Sequence, residues 1–468
     1  MKIIEQLIET QEHFGVISSE IILITGSIIL LILGILRLPL FWIKVFAAVV
    51  LLGSFLFAQQ IFGFFFTRTI IRDDLSYLMT QLLPLITLGV LCFKRQIHQS
   101  HEFYFLLMSV LTGSLFMVAS HNLLILYLAI ELTSYASYLL TGFRFNEKGS
   151  EAAMKYLLFG GVSSAVMLFG ISLLYGANDS LYFDTLEFSL LGATGLFFFL
   201  SGLFFKTSIV PFHIWVPATY EGASTDVVAF FSTVPKIAGF AALYHVFQWT
   251  NGLFNPFLEQ LILLLAILTI IWGTLAALRQ TDIKRMLSFG AVAHSGFILP
   301  LCLAMDTYSI FKYYVIIYMV MNILAFLFVQ LHEKKGENLS LSDMSGLGIK
   351  FPLLGVISVI WAVALVGLPP TGGFMAKLFL FSTAWQHYES IDSLYWLTFI
   401  LVGILSSAAS LYFYLRVPYF YFFKEDQSKK IKINKSHFLI LTLLAFTLIL
   451  LFIQPNIFDR FAPMITHE

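Results

Sequence analysis

Fourteen stretches of this chain are continuously apolar, with short polar links between them: 19–36, 40–58, 76–93, 102–119, 121–142, 152–176, 190–218, 227–248, 257–278, 284–304, 308–331, 351–386, 392–422 and 436–454. A helix needs about 20 apolar residues to cross a bilayer core about 30 Å thick. Apolar and polar residues do not alternate within these runs, so they predict helices and not the strands of a closed barrel, the other fold that satisfies its backbone in lipid. The first run has neither a basic start nor a small-residue cleavage site, and it reads as a retained span.

Basic residues in the links follow this count. Links after odd-numbered spans hold sixteen Lys and Arg, among them Arg37, Lys94, Arg144, Arg279, Lys334 and the loop at 424–435. The other side holds four: Lys2, Arg68, Arg72 and Arg460. Cytoplasmic links carry the Lys and Arg excess, so both termini are expected on the outer face. A missed span would invert every later link and spoil the asymmetry.

Composition agrees. The chain has 468 residues, 59% of them hydrophobic and 12% charged, with a mean hydropathy of +0.88. Soluble domains carry about 25% charged residues. A formal net charge of zero offers nothing to nucleic acid. The two cysteines, Cys92 and Cys302, lie in separate apolar runs and form no ligand cluster, and no Gly-rich nucleotide loop follows a strand.

Apart from Lys284 and Arg285, which open the tenth span and are counted with its link, seven basic residues fall inside spans: Lys44, Lys155, Lys206, Lys236, Lys312, Lys377 and Arg416. Lys44, Lys155, Lys312 and Arg416 lie near span ends, where a long stem lets the charge snorkel to the interface. Lys206, Lys236 and Lys377 are too deep for that, and Glu131 is the one acidic residue near mid-span. A charge at the bilayer centre costs roughly 2.5–3.5 kcal/mol on insertion scales, which makes such residues functional by default. The competing reading is a structural ion pair that locks two helices.

Two spans are interrupted. The seventh contains Pro211 and Pro217 in FFKTSIVPFHIWVP, and the twelfth contains Pro369, Pro370, Gly372 and Gly373 in LVGLPPTGGFMAKLF. Proline removes a ladder donor and clashes with the preceding turn. Broken backbone at membrane depth survives only inside protein or beside a wet cavity. Breaks five spans apart predict two five-span repeats, necessarily inverted because the unit is odd-numbered. The expected organisation is 1–101 for helices one to three, 102–250 and 251–424 for the repeats, and 425–468 for a basic loop and the last helix. The fold class is therefore an all-α polytopic membrane protein of about 14 helices, discontinuous at seven and twelve.

Lysine suits proton transfer because burial loosens its proton and a nearby carboxylate retains it. The residues suggest Lys206 as a loading site biased by Glu131, Lys236 as a central relay and Lys377 as the exit or second loading site. His213 and His294 sit at and within spans, where an imidazole either relays protons or joins helices by hydrogen bonds. His121 opens span five and reads as interfacial. No His, Asp, Glu or Cys spacing resembles a metal site.

The stretches EAAMKYLLFGGVSSAVMLFGISLLYG (151–176), FKTSIVPFHIWVPATYEGASTDVVAFFSTVPKIAGFAAL (205–243), TDIKRMLSFGAVAHSGF (281–297) and LVGLPPTGGFMAKLFLFSTAW (365–385) resemble the antiporter-like membrane subunits of bacterial NADH-quinone oxidoreductase, respiratory complex I. YEGA and the following VPK favour the N-type branch over the L and M types. The resemblance covers roughly residues 100–420. It implies functional roles for Glu131, Lys206, Lys236 and Lys377, and places His213, His294 and Lys155 in a mid-membrane polar axis. It also implies a proton-translocating subunit in the bacterial inner membrane, beside an antiporter-like M-type neighbour and small K- and J-type subunits. Flavin (FMN), iron–sulfur clusters and quinone would then belong to partner subunits, with no cofactor and no redox chemistry on this chain. The rival memberships are a multisubunit Na+/H+ antiporter and a membrane-bound hydrogenase complex. The chain departs from the family's EGAPTPV at Ser224 and Asp226, and Asp226 is expected to cap span eight.

Overall fold

A computed structural model describes residues 14–93, 100–187, 189–250, 256–304, 307–333, 339–424, 435–455 and 457. Most of the basic 424–435 loop, Lys94, Lys334 and both chain ends lie outside the described residues.

The described chain is helical apart from one hairpin, β1 (Gly63–Phe65) against β2 (Ile70–Arg72). Its helices are α1 (Ser18–Ile35), α2 (Leu40–Leu56), α3 (Asp74–Phe93), α4 (His101–Ala119), α5 (Leu123–Gly142), α6 (Glu147–Asn178), α7 (Leu190–Thr207), α8 (Trp215–Gly222), α9 (Thr225–Phe231), α10 (Val234–Trp249), α11 (Pro256–Leu278), α12 (Ile283–Leu303), α13 (Tyr308–His332), α14 (Pro352–Val366), α15 (Gly372–Ile391), α16 (Leu394–Phe423) and α17 (Lys435–Ile453). Twelve helical segments among the described residues are long and apolar enough to cross a membrane, with α9 and α10 counted as one. The apolar α2 and α14 are shorter. At 1.5 Å per residue, the 32-residue α6 is about 48 Å long and overshoots the hydrocarbon core.

The chain forms two compact units. The first contains residues up to Thr207 and then Val234–Asn255; the second contains Ser208–Thr233 and everything from Pro256. In the first unit α6 packs along α7, α4 along α5, and α10 runs wholly buried against α4 and α7. Contact between α6 and α7 is backbone-close. A Cβ at Gly170 would lie 2.3 Å from Phe199 N, and one at Gly195 would lie 2.9 Å from Leu174 N. Membrane helices gain their attraction from such close packing, because lipid is as apolar as leucine. In the second unit α11 packs on α12 and α16, while α13 is enclosed by α9, α12, α15 and α17.

Both expected breaks are present, between α7 and α8 at Ser208–Ile214 and between α14 and α15 at Gly367–Thr371. A third break, not anticipated, separates α9 from α10 at Ser232–Thr233. Pro235 lacks the N–H that would meet the Phe231 carbonyl, so the helix ends there and restarts at Val234. Thr233 Oγ1 turns back to donate to Ala229 O at 2.8 Å. Asp226 is not the cap expected of it. Ser224 holds the N-cap position of α9, and Asp226 lies in the first turn, where a negative charge meets the helix dipole favourably.

Two further charges depart from expectation. Lys312, expected to reach the interface, is buried in α13 with its ammonium 5.5 Å from the Tyr308 ring centre. Arg72, counted in the link after the second span, is buried there and donates to both carboxylate oxygens of Glu20, at 2.9 and 2.8 Å, and to Val16 O. The β-hairpin makes this pair, because β2 brings Arg72 back beneath the start of α1.

Candidate functional site

In the first unit the deep charges gather around α7. Lys206 lies in the last turn of α7, where carbonyl ends favour a cation. It is buried, and its Nζ donates to Ser134 Oγ on α5 at 3.3 Å. Ser134 is three residues beyond Glu131, so ammonium and carboxylate are about one helical turn apart. They are not in direct contact. Glu131 Oε1 instead accepts from Ser164 Oγ of α6 at 2.5 Å. Tyr127 Oη lies 3.2 Å from the same Ser164 Oγ, which is left to accept from it.

Lys236 is buried in the first turn of α10. A Cβ at Gly239, three residues on, would meet Thr207 Cγ2 at 3.0 Å and Lys206 Cγ at 3.4 Å. The stem of Lys206 therefore crosses α10 within a turn of Lys236. Glu131, Lys206 and Lys236 form one neighbourhood built from three helices far apart in sequence. Lys155 is not part of it. It lies on the outward face of α6, its side chain 49% exposed, paired with Glu151 at 2.5 Å.

In the second unit Lys377, in the second turn of α15, reaches back to the break between α14 and α15. Its Nζ donates to Val366 O at 2.7 Å and to Ser407 Oγ of α16 at 3.0 Å, and lies 4.7 Å from the ring centre of Phe297. Gly367 shapes this cradle. It caps α14 in the left-handed region, φ +86° and ψ +52°, and a Cβ there would stand 2.7 Å from Lys377 Cδ. The unwound turn frees the Val366 carbonyl for the ammonium. Phe297 lies three residues beyond His294 on α12, so the ammonium that Lys377 extends from α15 meets α12 about a turn from His294.

His294 is buried, with Nδ1 3.1 Å from Tyr314 Oη. His213 is buried within the first break, its ring edge-on to Trp272 at 5.7 Å. His121, between α4 and α5, has Nε2 3.7 Å from Asp184 Oδ2, and burial lowers its affinity for a proton below the usual imidazole value despite that carboxylate.

Several polar partners were not singled out from sequence: Ser134, Ser164, Ser407 and the Val366 carbonyl. Ser134 carried the one available signal, because it shares a helical face with Glu131. A further charged group lies in the second unit, where Lys284 donates to Ala223 O at 3.0 Å and to Glu333 at 3.4 Å, and Arg285 pairs with Glu221 at 2.7 Å.

Comparison with known proteins bears on this arrangement. The profile of the NADH:quinone oxidoreductase/Mrp antiporter transmembrane family matches residues 120–409. NADH-quinone oxidoreductase subunit N of Chlorobium chlorochromatii is 35% identical over 406 residues, covering 80% of this chain and 78% of that one. Subunit N of Trichlorobacter lovleyi is 38% identical over 346 residues, covering 70% and 69%. Among solved structures, a chain of respiratory complex I from Thermus thermophilus superposes with a TM-score of 0.84 at 29% identity, over 94% of this chain and 98% of that one. A profile match across more than half of the chain, and relatives of this identity over most of its length, place the chain in the NADH:quinone oxidoreductase/Mrp antiporter transmembrane family.

Proposed function

We propose that this chain is a proton-translocating membrane subunit of an NADH:quinone oxidoreductase. The observation that carries the proposal is the pair of lysine sites at broken helices: Lys206 within a turn of Glu131 and of Lys236, and Lys377 cradled by an unwound turn.

The arrangement supports a switch. When the Glu131 carboxylate approaches the Lys206 ammonium, attraction holds the proton on lysine. When the carboxylate swings to Ser164, that hold weakens and the proton passes to Lys236. His294 and Lys377 carry it onward in this reading, with His213 as an accessory relay. Lys155, on an outward face, would join the path only through a neighbouring subunit. The two inverted repeats, 102–250 and 251–424, account for matching breaks in the seventh and twelfth spans.

The chain itself does no redox chemistry in this proposal. FMN, iron–sulfur clusters and quinone belong to partner subunits, whose rearrangement drives the switch. The M-type antiporter-like subunit and the small K- and J-type subunits are the expected neighbours. The chain would sit in a bacterial inner membrane with both termini outside.

The test uses the intact complex in proteoliposomes. Lys206→Ala and Glu131→Ala are each expected to lower NADH-driven acidification on the order of a hundredfold, the low end of what a proton-transfer group contributes. The activity should not require Na+. Wild-type pumping in both variants, with normal assembly, would overturn the proposal. Strict Na+ dependence would point to cation antiport instead.

A further inference from the structure

The boundaries between the two compact units fall at the same two places where spans seven and eight break. Lys206 stands two residues before Ser208 and Lys236 three residues after Thr233, so Ser208–Thr233 joins the two lysines as one continuous arm. The lysines belong to the first unit and the arm to the second. Both roots of the arm are non-helical. One is Ser208–Ile214, where Ser208 holds φ +66°, and the other is Ser232–Thr233.

The arm is fastened to the second unit along its length. Near its first root, Val210 N donates to Thr269 Oγ1 of α11 at 3.0 Å. On α8 the Tyr220 ring meets Phe326 of α13 edge-on at 5.7 Å. At the turn between α8 and α9 the fastening is ionic. Lys284 Nζ donates to Ala223 O at 3.0 Å and to Glu333 Oε1 at 3.4 Å. Thr225 Oγ1 donates to Glu333 Oε2 at 2.5 Å, and Arg285 pairs with Glu221 at 2.7 Å.

Lys284 and Glu333 are both placed against their own helices. Lys284 is the second residue of α12, and Glu333 caps the end of α13. A helix dipole disfavours a cation at its N-terminus and an anion at its C-terminus. Lys284 is also fully buried, and a buried charge is costly unless paired and hydrogen-bonded. What both charges gain is the arm. Ala223 caps the C-terminal end of α8, where free carbonyls favour a cation, and Thr225 supplies a hydroxyl from the first residue of α9. A clamp of this kind would serve stability alone if the arm led nowhere. It leads at each end to a lysine of the proposed proton path.

We infer that Lys284, Glu333 and Thr225 are positioning residues that make Ser208–Thr233 a lever, through which movement of the second unit reaches Lys206 and Lys236 together. The helices of the arm move with α12 and α13, and the two non-helical roots absorb the change in backbone angles. Each lysine lies within a turn of a root, so a displacement there moves its stem. A shift of about 1 Å at a reacting group is enough to change proton transfer strongly. The lever rests on the proton-translocation reading and names what sets its first two lysines.

The test uses the intact, reconstituted complex and two readouts: protons moved per NADH oxidised, and amide hydrogen exchange by mass spectrometry at rest and during NADH turnover. In the unmodified complex, exchange at Ser208–Ile214 and at Ser232–Thr233 is expected to differ between rest and turnover. Thr225→Val keeps the shape and deletes the hydroxyl, while Lys284→Met keeps the stem and deletes the ammonium. Each is expected to lower pumping on the order of tenfold, within the usual strength of coupling between separate sites, and to abolish the turnover response at both roots. Thr225→Ser keeps the hydroxyl and should keep both readouts. A clamp that only stabilised the fold would not tie exchange at the roots to turnover. Arg68→Gln breaks an ion pair off the arm, with Asp184 at 3.3 Å, and should change neither readout. Lys206→Ala is measured in parallel. Identical exchange at rest and in turnover in the unmodified complex would overturn the lever, whether or not the variants assemble. Wild-type pumping in Thr225→Val and Lys284→Met, beside a defective Lys206→Ala, would overturn the lever alone. Wild-type pumping in Lys206→Ala as well would overturn the underlying function.

Discussion

Replacing Gly367 by alanine tests whether the unwound turn positions Lys377 or merely tolerates it. At φ +86° an L-residue pays roughly 1–2 kcal/mol for the left-handed conformation. The new Cβ would also stand 2.7 Å from Lys377 Cδ and 3.3 Å from Gly373 O, whereas carbon atoms rest about 3.5–4.0 Å apart. The lysine stem must therefore move by about 1 Å, which strains or breaks the bonds from Nζ to Val366 O and Ser407 Oγ. A hydrogen bond from a charged group is worth about 1.5–3 kcal/mol. The stiffer unfolded chain returns about 0.4–1 kcal/mol. The net local cost is then about 2–4 kcal/mol, and an error of 1 Å at a reacting group can cost on the order of 10²-fold in rate. The assay is proton uptake or release per NADH oxidised by the reconstituted complex, read beside its thermal midpoint. Gly161→Ala, on an exposed face of α6 with nothing within 4 Å of the new Cβ, serves as control and should change neither. A Gly367→Ala complex with wild-type pumping and midpoint would refute the positioning argument.

Two further predictions concern the rest of the first unit. Burial pushes the Asp73 carboxyl up, but His245, 2.8 Å away, and the bonds to Ser76 outweigh it and hold Asp73 at about 2. A depressed carboxyl contributes stability above its unfolded value, near 4, that is lost as pH falls toward 2. With about a third of the side chain facing solvent, screening cuts this to about 1 kcal/mol. Hydrogen exchange at the end of α10 should accelerate across that window, and an identical acid profile in Asp73→Asn would count against the contact. Glu20→Gln leaves the Arg72 guanidinium buried without its counter-charge, at a cost of about 3–5 kcal/mol. The double variant Glu20→Leu/Arg72→Leu should recover much of it, and an unshifted thermal midpoint in Glu20→Gln would contradict the account.

How much was legible follows from range along the chain. The breaks near Pro211 and Pro369 announced themselves through local chemistry, since proline acts on its own preceding turn. The break before Val234 had the same signal in Pro235, but the surrounding run was apolar enough to read as one helix. Lys206, Lys236 and Lys377 stood out because a charge in an apolar run is conspicuous wherever the run ends up. Their partners did not: Ser134 is 72 residues from Lys206 and Ser407 is 30 from Lys377, and hydroxyls are common in these helices.

Sequence by itself determined that the chain is a bundle of apolar helices, where several of them break, and which lysines and glutamate are costly to bury, because each of these depends on a few consecutive residues. Tertiary structure alone decided which face of each helix looks inward. Helices apolar all round carry almost no amphipathic signal, and only packing against neighbours separates a lipid-facing side from a protein-facing one. That choice sends Lys155 outward to Glu151, buries Arg72 on Glu20, sets Lys206 a turn from Glu131, and brings Tyr314 and Tyr318 against His294.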